Sequence, residues 1–238
     1  MRNFSNQDVL NWKAFLQIKA QESKDRRLTN FYNSGTYHEE VKVKDIEFVA
    51  LDFETTGLDA NKNSIISIGL VPFTLQRIAC RKAKHWFLTP KDKLKEDSII
   101  IHGITHSDLK GAPGLLRILE QLLDELAGKI VVVHYRRIER DFFDSALRNL
   151  INEGIVFPVV DTMQIEANIQ QAKPRSIIDW FKNTRPASIR LANSRARYNL
   201  PTYPPHDALT DAIATAELLQ AQIQHHYSPD TPIKQLLR

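Results

Sequence analysis

The hydrophobic pattern of the chain changes period at Asp45. From there IEFVALDF is a short run of β-branched, aromatic and aliphatic residues, and after the turn-forming stretch GLDANKN a second run, SIISIGLVPF, has the same character. These predict paired strands. A third strand is expected from about Gln76 to Leu88, where RIACRKAKHWFL mixes polar and apolar positions as an edge strand does. Helical spacing then takes over in LLRILEQLLDELAG, which stops at Gly128, and the apolar run IVVV leads straight into His134. Residues 137–153 read as helix, IVFPVVDT as a short strand, residues 174–195 as one or two short helices, and DALTDAIATAELLQAQIQHH as a long helix. Upstream, Val9, Leu10, Trp12, Phe15 and Leu16 recur at helical spacing in a polar segment. The expected fold is α/β: a mixed sheet flanked by helices over residues 45–238, with a helical N-terminal extension at 1–44 that docks on it.

Composition adds little to this but removes several classes of function. Of the 238 residues 42% are hydrophobic and 25% charged, as in a folded globular protein. Cys80 is the sole cysteine, so an intrachain disulfide and a cysteine-built zinc or iron–sulfur site are excluded. The N-terminus lacks the apolar run of a secretory signal, and no apolar stretch is long enough to span a bilayer, so a cytoplasmic location and no membrane partner are expected. The net charge of +4 suits a polyanionic partner but suits a solvated basic surface equally well.

The informative feature is the placement of acids. Asp52 and Glu54 stand two apart at the end of an otherwise apolar strand, so both carboxylates project from one face. Two like charges there favour either a shared proton or a hard divalent cation that takes both as oxygen ligands. Far downstream, His206 lies just before the last long helix and Asp211 about a turn and a half into it. A loop-borne imidazole suits the taking of a proton from water near neutrality, since an unperturbed His side chain in general titrates near pH ~6.5. Each residue alone would be read as a helix cap or a solvated strand end.

Together these segments resemble a known family. Asp52-Phe53-Glu54-Thr55-Thr56-Gly57-Leu58, followed by Ile65-Ile66-Ser67-Ile68-Gly69, is similar to the first motif of the DEDD 3′→5′ exonucleases, the superfamily of the proofreading epsilon subunit of bacterial DNA polymerase III. Pro205-His206-Asp207-Ala208-Leu209-Thr210-Asp211-Ala212 resembles the third motif of its histidine-bearing subclass. The second motif departs from the pattern. The family has His-Asn and then an Asp opening a helix, whereas this chain reads His134-Tyr135-Arg136-Arg137-Ile138-Glu139-Arg140-Asp141-Phe142-Phe143. Counting from His134 puts Glu139 at the acid's position, and Glu139 is favoured over Asp141. The two point about 200° apart on a helix and cannot share the role. Ile101-His102-Gly103-Ile104-Thr105 resembles a turn of the polymerase-associated branch, with a structural role expected for His102, and Asp161-Thr162 is expected to support the site from behind.

The resemblance covers about residues 46–225 and implies a ribonuclease H-like sheet and a hydrolase that releases nucleoside 5′-monophosphates from 3′ ends. It implies that Asp52, Glu54, Glu139 and Asp211 hold two Mg²⁺ or Mn²⁺ ions and that His206 is the general base. Substrate contacts are implied for Phe53, Thr55, Thr56, Gly57, Leu58, His134, Phe142 and Phe143, and strand guidance for Arg136, Arg137 and Arg140, one of which at least is expected on a solvated helix face. The expected partner is single-stranded DNA or a primer 3′ end, in proofreading or repair, with a DNA polymerase as a further candidate partner. Two alternatives stay open: a 3′-exonuclease of RNA or oligoribonucleotides, and a catalytically weak module that binds nucleic acid or a polymerase.

Overall fold

A computed structural model of the chain describes residues 11–92, 99, 102–172 and 187–237. Among these, five strands form one mixed sheet: β1 (Phe48–Thr55), β2 (Ile65–Phe73), β3 (Lys84–Phe87), β4 (Ile130–Val133) and β5 (Val159–Asp161). Their order is β3-β2-β1-β4-β5. β1, β2 and β3 pair antiparallel, while β4 and β5 join parallel to β1. β1 therefore lies in the middle, with the antiparallel half on one side and the parallel half on the other. The third strand is shorter than its sequence suggests. The chain turns back immediately after β2, with the Thr74 N–H donating to Arg77 O at 2.9 Å, and a 3₁₀ turn at Cys80–Lys82 delays regular pairing until Lys84. In IVFPVVDT only Val159–Asp161 pairs, as Pro158 has no N–H to give a ladder.

The strand period of two divides the core. Val49, Leu51 and Phe53 face one way, into a cluster with α3 (Leu115–Leu126) and α4 (Arg137–Ile151). Helix α3 buries Leu115, Ile118, Leu119, Leu122, Leu123 and Leu126, the stripe expected of a helix lying on a sheet. Phe48 and Ala50 face the other way, toward α7 (Ala208–His226). Two further helices, α5 (Thr162–Ala172) and α6 (Leu191–Arg197), pack beside α7. Of the helices expected over 174–195, α6 begins only at Leu191, and residues 173–186 lie outside the described part.

The N-terminal segment forms two helices, α1 (Trp12–Glu22) and α2 (Arg26–Asn33), where the spacing predicts one. Val9 and Leu10 lie outside the described residues. Trp12, Leu16, Leu28, Phe31 and Tyr32 are buried in the same cluster as α3 and α4. Polar ties reinforce the contact: the Glu153 carboxylate accepts from the Lys24 and Asp25 N–H groups at 3.0 and 3.1 Å. The Arg140 guanidinium lies over the Trp12 ring, 5.7 Å from its centroid, and donates to Phe157 O at 2.9 Å. Arg140, expected to guide nucleic acid, is thus buried under the N-terminal helix and does not reach the surface. Among the described residues no helix is long and apolar enough to cross a membrane.

Trp12→Ala is expected to lower the unfolding free energy by about 3 kcal/mol or more, because it opens a cavity and exposes Arg140. Urea unfolding would measure the loss, and kcat of the folded protein should stay within twofold of wild type.

Candidate active site

The acids of β1 continue the face that packs on α7: Phe48 and Ala50 are apolar, and Asp52 and Glu54 follow in the same register. Pairing with β2 slips between Glu54 and Thr55, so the chain bends away from the sheet directly after the second acid. The bend is held locally. Thr55 Oγ1 donates to Gly57 O at 2.7 Å, and Thr56 Oγ1 donates to Asp92 Oδ2 at 2.6 Å while accepting from Ser64 N at 2.9 Å. A side chain at Gly57 would run into Asn63. The loop so fixed holds Leu58 out in solvent, 87% exposed.

Gly69 decides how near α7 can come. It pairs with Asp52 across the β1–β2 ladder, and a Cβ at this position would collide with the backbone of Ala208 and Leu209. With no side chain there, the first turn of α7 rests on the strand itself and brings Asp211 over Glu54. Asp207 caps the helix, accepting from Thr210 N at 2.8 Å. Asp211 Oδ2 accepts from the backbone N–H of His206 at 2.8 Å and so ties the preceding loop to the helix. His206 is exposed and sits at φ +69°, a conformation unfavourable for a residue with a Cβ. One potential ligand atom from each of Glu54, His206 and Asp211 lies within 4.8 Å of the others.

The loop carrying His206 is clamped from behind. The Arg195 guanidinium donates to Ala214 O, to Pro201 O at 2.9 Å and to Glu217 Oε2 at 2.7 Å. It also lies 4.6 Å from the centre of the Tyr203 ring, whose hydroxyl donates to Glu217 Oε1 at 2.9 Å. The loop is thereby fixed at Pro201 and Tyr203 to the side of α7.

The parallel half of the sheet contributes the third segment. Tyr135 turns the chain out of β4 at φ +87°, and Asp161 holds that turn in place. Its carboxylate accepts from the backbone N–H groups of Tyr135 and Arg136, from those of Met163 and Gln164, and from Arg136 Nη1. One buried acid therefore caps both α4 and α5. From this start Glu139 points inward, 1% exposed, and its Oε2 has no hydrogen-bond partner among the described residues. Asp141 points outward, its side chain 58% exposed, with Arg137 at 4.0 Å. The geometry brings Glu139, and not Asp141, toward Asp52 and Glu54.

Electrostatics shows the cost of this gathering. Burial, with Asp211 and Asp207 nearby, pushes Glu54 up to about 8. Burial raises Asp52 well above the usual carboxylate range, with Glu139, Glu54 and Asp211 adding to the effect. Burial likewise raises Glu139 and Asp211. Four carboxyl groups are thus held where they cannot all ionise unless a positive charge joins them. The unsatisfied Glu139 oxygen, the raised acids and a donor set of carboxylate oxygens with one imidazole fit a hard divalent cation.

Several residues expected to touch substrate do not face it. Phe143 is fully buried, edge-on to Phe53 at 6.1 Å and to Phe157 at 6.3 Å, so both Phe143 and the Phe53 side chain belong to the core and offer no face to a base. His134 is half-buried with both ring nitrogens engaged, Nδ1 with Thr162 Oγ1 at 2.8 Å and Nε2 with Ile189 O at 3.0 Å. Burial pushes it down to about 4, so it is a neutral strut that links β4 to residues 187–190. Leu58 lines an open cavity of about 670 Å³ together with Tyr135, Ile138 and Arg137, while Phe142 underlies it and, at 2% exposure, belongs to the core like Phe143. His102 is structural: its Nδ1 accepts from Ile104 N at 3.0 Å. The helix-capping role of Asp161, the close approach at Gly69 and the Arg195–Glu217–Tyr203 clamp were not foreseen. Of these only a glycine inside a strand carries a readable signal.

A mixed sheet with a DxE strand end, a helix-borne third acid and a histidine before the last helix's Asp is the arrangement expected of an exonuclease domain. The chain belongs to the exonuclease family RNase_T, whose sequence model matches residues 49–219. It is 27% identical over 181 residues to the DNA polymerase III subunit epsilon of Treponema pallidum, covering 76% of this chain and 78% of that one. It is also 27% identical over 184 residues to the PolC-type DNA polymerase III of Halalkalibacterium halodurans, of which it spans only 12%. Among solved structures, the nuclease domain of 3′hExo, a DEDDh family member bound to rAMP, superposes with a TM-score of 0.60 at 14% identity, covering 76% of this chain and 92% of that one. Exonucleases of this type depend on divalent metal ions.

Two outcomes follow from the geometry. Glu54 keeps a proton in the folded chain up to about pH 8 that its unfolded form releases near its ordinary value of 4.5. Metal-free stability therefore falls as pH rises through that window, and added Mg²⁺, which favours the ionised form, stabilises more at the upper end. Thermal melts in EDTA and in Mg²⁺ should show this, with a flatter EDTA profile for Glu54→Gln; a Tm that rises with pH in EDTA would contradict it. Separately, Tyr203→Phe should lower kcat with little change in KM and add nothing in a His206→Ala background. An equal loss in both backgrounds would mean that the clamp acts on stability alone.

Proposed function

We propose that this protein removes nucleotides from DNA 3′ ends, releasing nucleoside 5′-monophosphates, with two Mg²⁺ or Mn²⁺ ions held by Asp52, Glu54, Glu139 and Asp211. The observation that carries the reading is the convergence of Glu54, His206 and Asp211 within 4.8 Å beside the unsatisfied carboxylate of Glu139. When bound, the ions supply acidification of water and neutralisation of charge at the scissile phosphate. His206 accepts the proton of the attacking water, its backbone fixed by Asp211. The water oxygen bonds to phosphorus as the bond to the 3′-oxygen breaks, and that oxygen leaves on the shortened strand. The terminal base rests against the exposed Leu58 and Tyr135 in the open cavity, with Thr55, Thr56 and Gly57 presenting backbone to the nucleotide. Stacking of this kind contributes about 1–3 kcal/mol per base for any sequence.

DNA is favoured as the substrate because the relatives at 27% identity are named as DNA polymerase III components. A proofreading or repair setting, with a DNA polymerase as partner, rests on the same similarity. We place the protein in the cytoplasm, where its exposed free Cys80 would stay reduced. Residues 1–44 are proposed as an extension of the exonuclease domain at 45–238, supported by the burial of Trp12, Leu16 and Phe31 in the common core.

Asp52→Ala or Asp211→Ala should abolish release of mononucleotides, and Glu139→Gln should do the same while Asp141→Asn keeps most activity. His206→Ala should cost about a hundredfold or more at neutral pH. Single-stranded DNA, mismatched primer ends and RNA of equal length, compared in one assay with Mg²⁺ and Mn²⁺, test the substrate. Degradation of RNA alone would overturn the DNA reading, and tight binding without product would favour a non-catalytic module.

A further inference from the structure

We infer that the outer edge of β3 and the turn before it form the track for the single strand leading into the site, on the 5′ side of the scissile phosphate. This rests on the proposed exonuclease reading. With the terminal base placed in the cavity on the α4 side of β1, the strand leaves on the opposite side, around the first turn of α7 that covers β2 at Gly69, and reaches the outer edge of β3. Register shows what it meets there. Asp52 pairs with Gly69 and Gly69 with His85, while Glu54 pairs with Ser67 and Ser67 with Phe87. Directly opposed residues share a face, and at ~4.8 Å between strands His85 and Phe87 lie ~10 Å from the acids.

The two rings form a pair with centroids 4.7 Å apart; Phe87 is 37% exposed, and His85 is held by Ser67 Oγ at 2.8 Å. Stacking platforms for unpaired bases have this composition. Beyond them the edge turns basic with Lys84, Lys82, Arg81 and Arg77, the last three exposed. No ion pair to a described residue is found for any of the four. Lysines on an edge strand commonly serve to prevent sheet-to-sheet pairing. That task needs no single sign, yet no Asp or Glu occurs between Asp59 and Asp92. A one-signed stripe without ion pairs among the described residues, ending at the exposed Phe87 ring and the half-buried His85 ring beside the proposed cleavage centre, is complementary to the backbone of a single strand.

Cys80, exposed and the only cysteine, sits inside this stripe and allows a direct test. The full chain, labelled there with a benzophenone maleimide, should crosslink to an oligothymidylate of roughly 20 nucleotides, and a dinucleotide should not compete. The doubly neutralised variant Arg81→Gln/Lys82→Gln should hydrolyse the p-nitrophenyl ester of thymidine 5′-monophosphate like wild type. Its KM for the long strand should rise about tenfold, and the slope of log affinity against log salt should shrink by roughly 0.7 per lost contact. No crosslink, together with an unchanged KM and salt slope, would overturn the track while leaving the exonuclease reading intact. Wild type that hydrolyses neither the ester nor the strand would overturn the exonuclease reading instead; crosslinking and anisotropy titrations would then still decide whether the edge binds a strand.

Discussion

Like-charge repulsion among four carboxyl groups is the interaction around which this molecule is arranged. Asp52, Glu54, Glu139 and Asp211 come from a strand and two helices; each is raised chiefly by burial, and Asp52, Glu54 and Glu139 are raised further by neighbouring carboxylates. Nothing in their own chemistry holds them together without a cation. The scaffold must do so, and the close seating of α7 on Gly69 is what permits it. Any side chain at that position would lift the first turn of the helix and carry Asp211 away from Glu54.

The other supports have the same logic. Asp161 spends its carboxylate on the starts of two helices, so the turn that aims Glu139 is satisfied before any ligand arrives. His134, neutral and bonded at both nitrogens, ties that turn to residues 187–190. Arg195 and Glu217 fix the loop of His206 from the far side of α7. Each of these polar groups is satisfied within the protein, while the acids of the site, and Glu139 Oε2 most plainly, are left for something else. That division separates scaffold from chemistry more sharply than burial does.

Much of this could be read from sequence, for physical reasons that differ by residue. The sheet and long helices show because IEFVALDF, IVVV and DALTDAIATAELLQAQIQHH keep clear periods. Asp52, Glu54, His206 and Asp211 show because local spacing carries their motifs. The choice of Glu139 over Asp141 came from counting along the motif from His134, the helical angle showing only that the two cannot share the role. What stayed hidden depends on contacts between distant segments. Phe143 and His134 look like ligand contacts in a linear motif, but packing against Phe157 and bonding to Ile189 are set by the tertiary fold. Arg140 reads as a surface cation until Trp12, far away in sequence, covers it. The Arg195 clamp has no linear signature, since its partners lie on α7 and in the loop before it.

His206 illustrates what such a site means for the chain as a whole. Its backbone sits at φ +69°, where glycine or asparagine would be more comfortable, and among the described residues its ring makes no hydrogen bond that would offset the strain. A redesign that rewarded folding alone would replace it first, then exchange Glu54 and Glu139 for neutral residues. The positions such a redesign would erase are those proposed to carry the chemistry, so on that reading thermal robustness and turnover are opposed at the same few residues. Engineering for durability would have to fix those residues and work elsewhere.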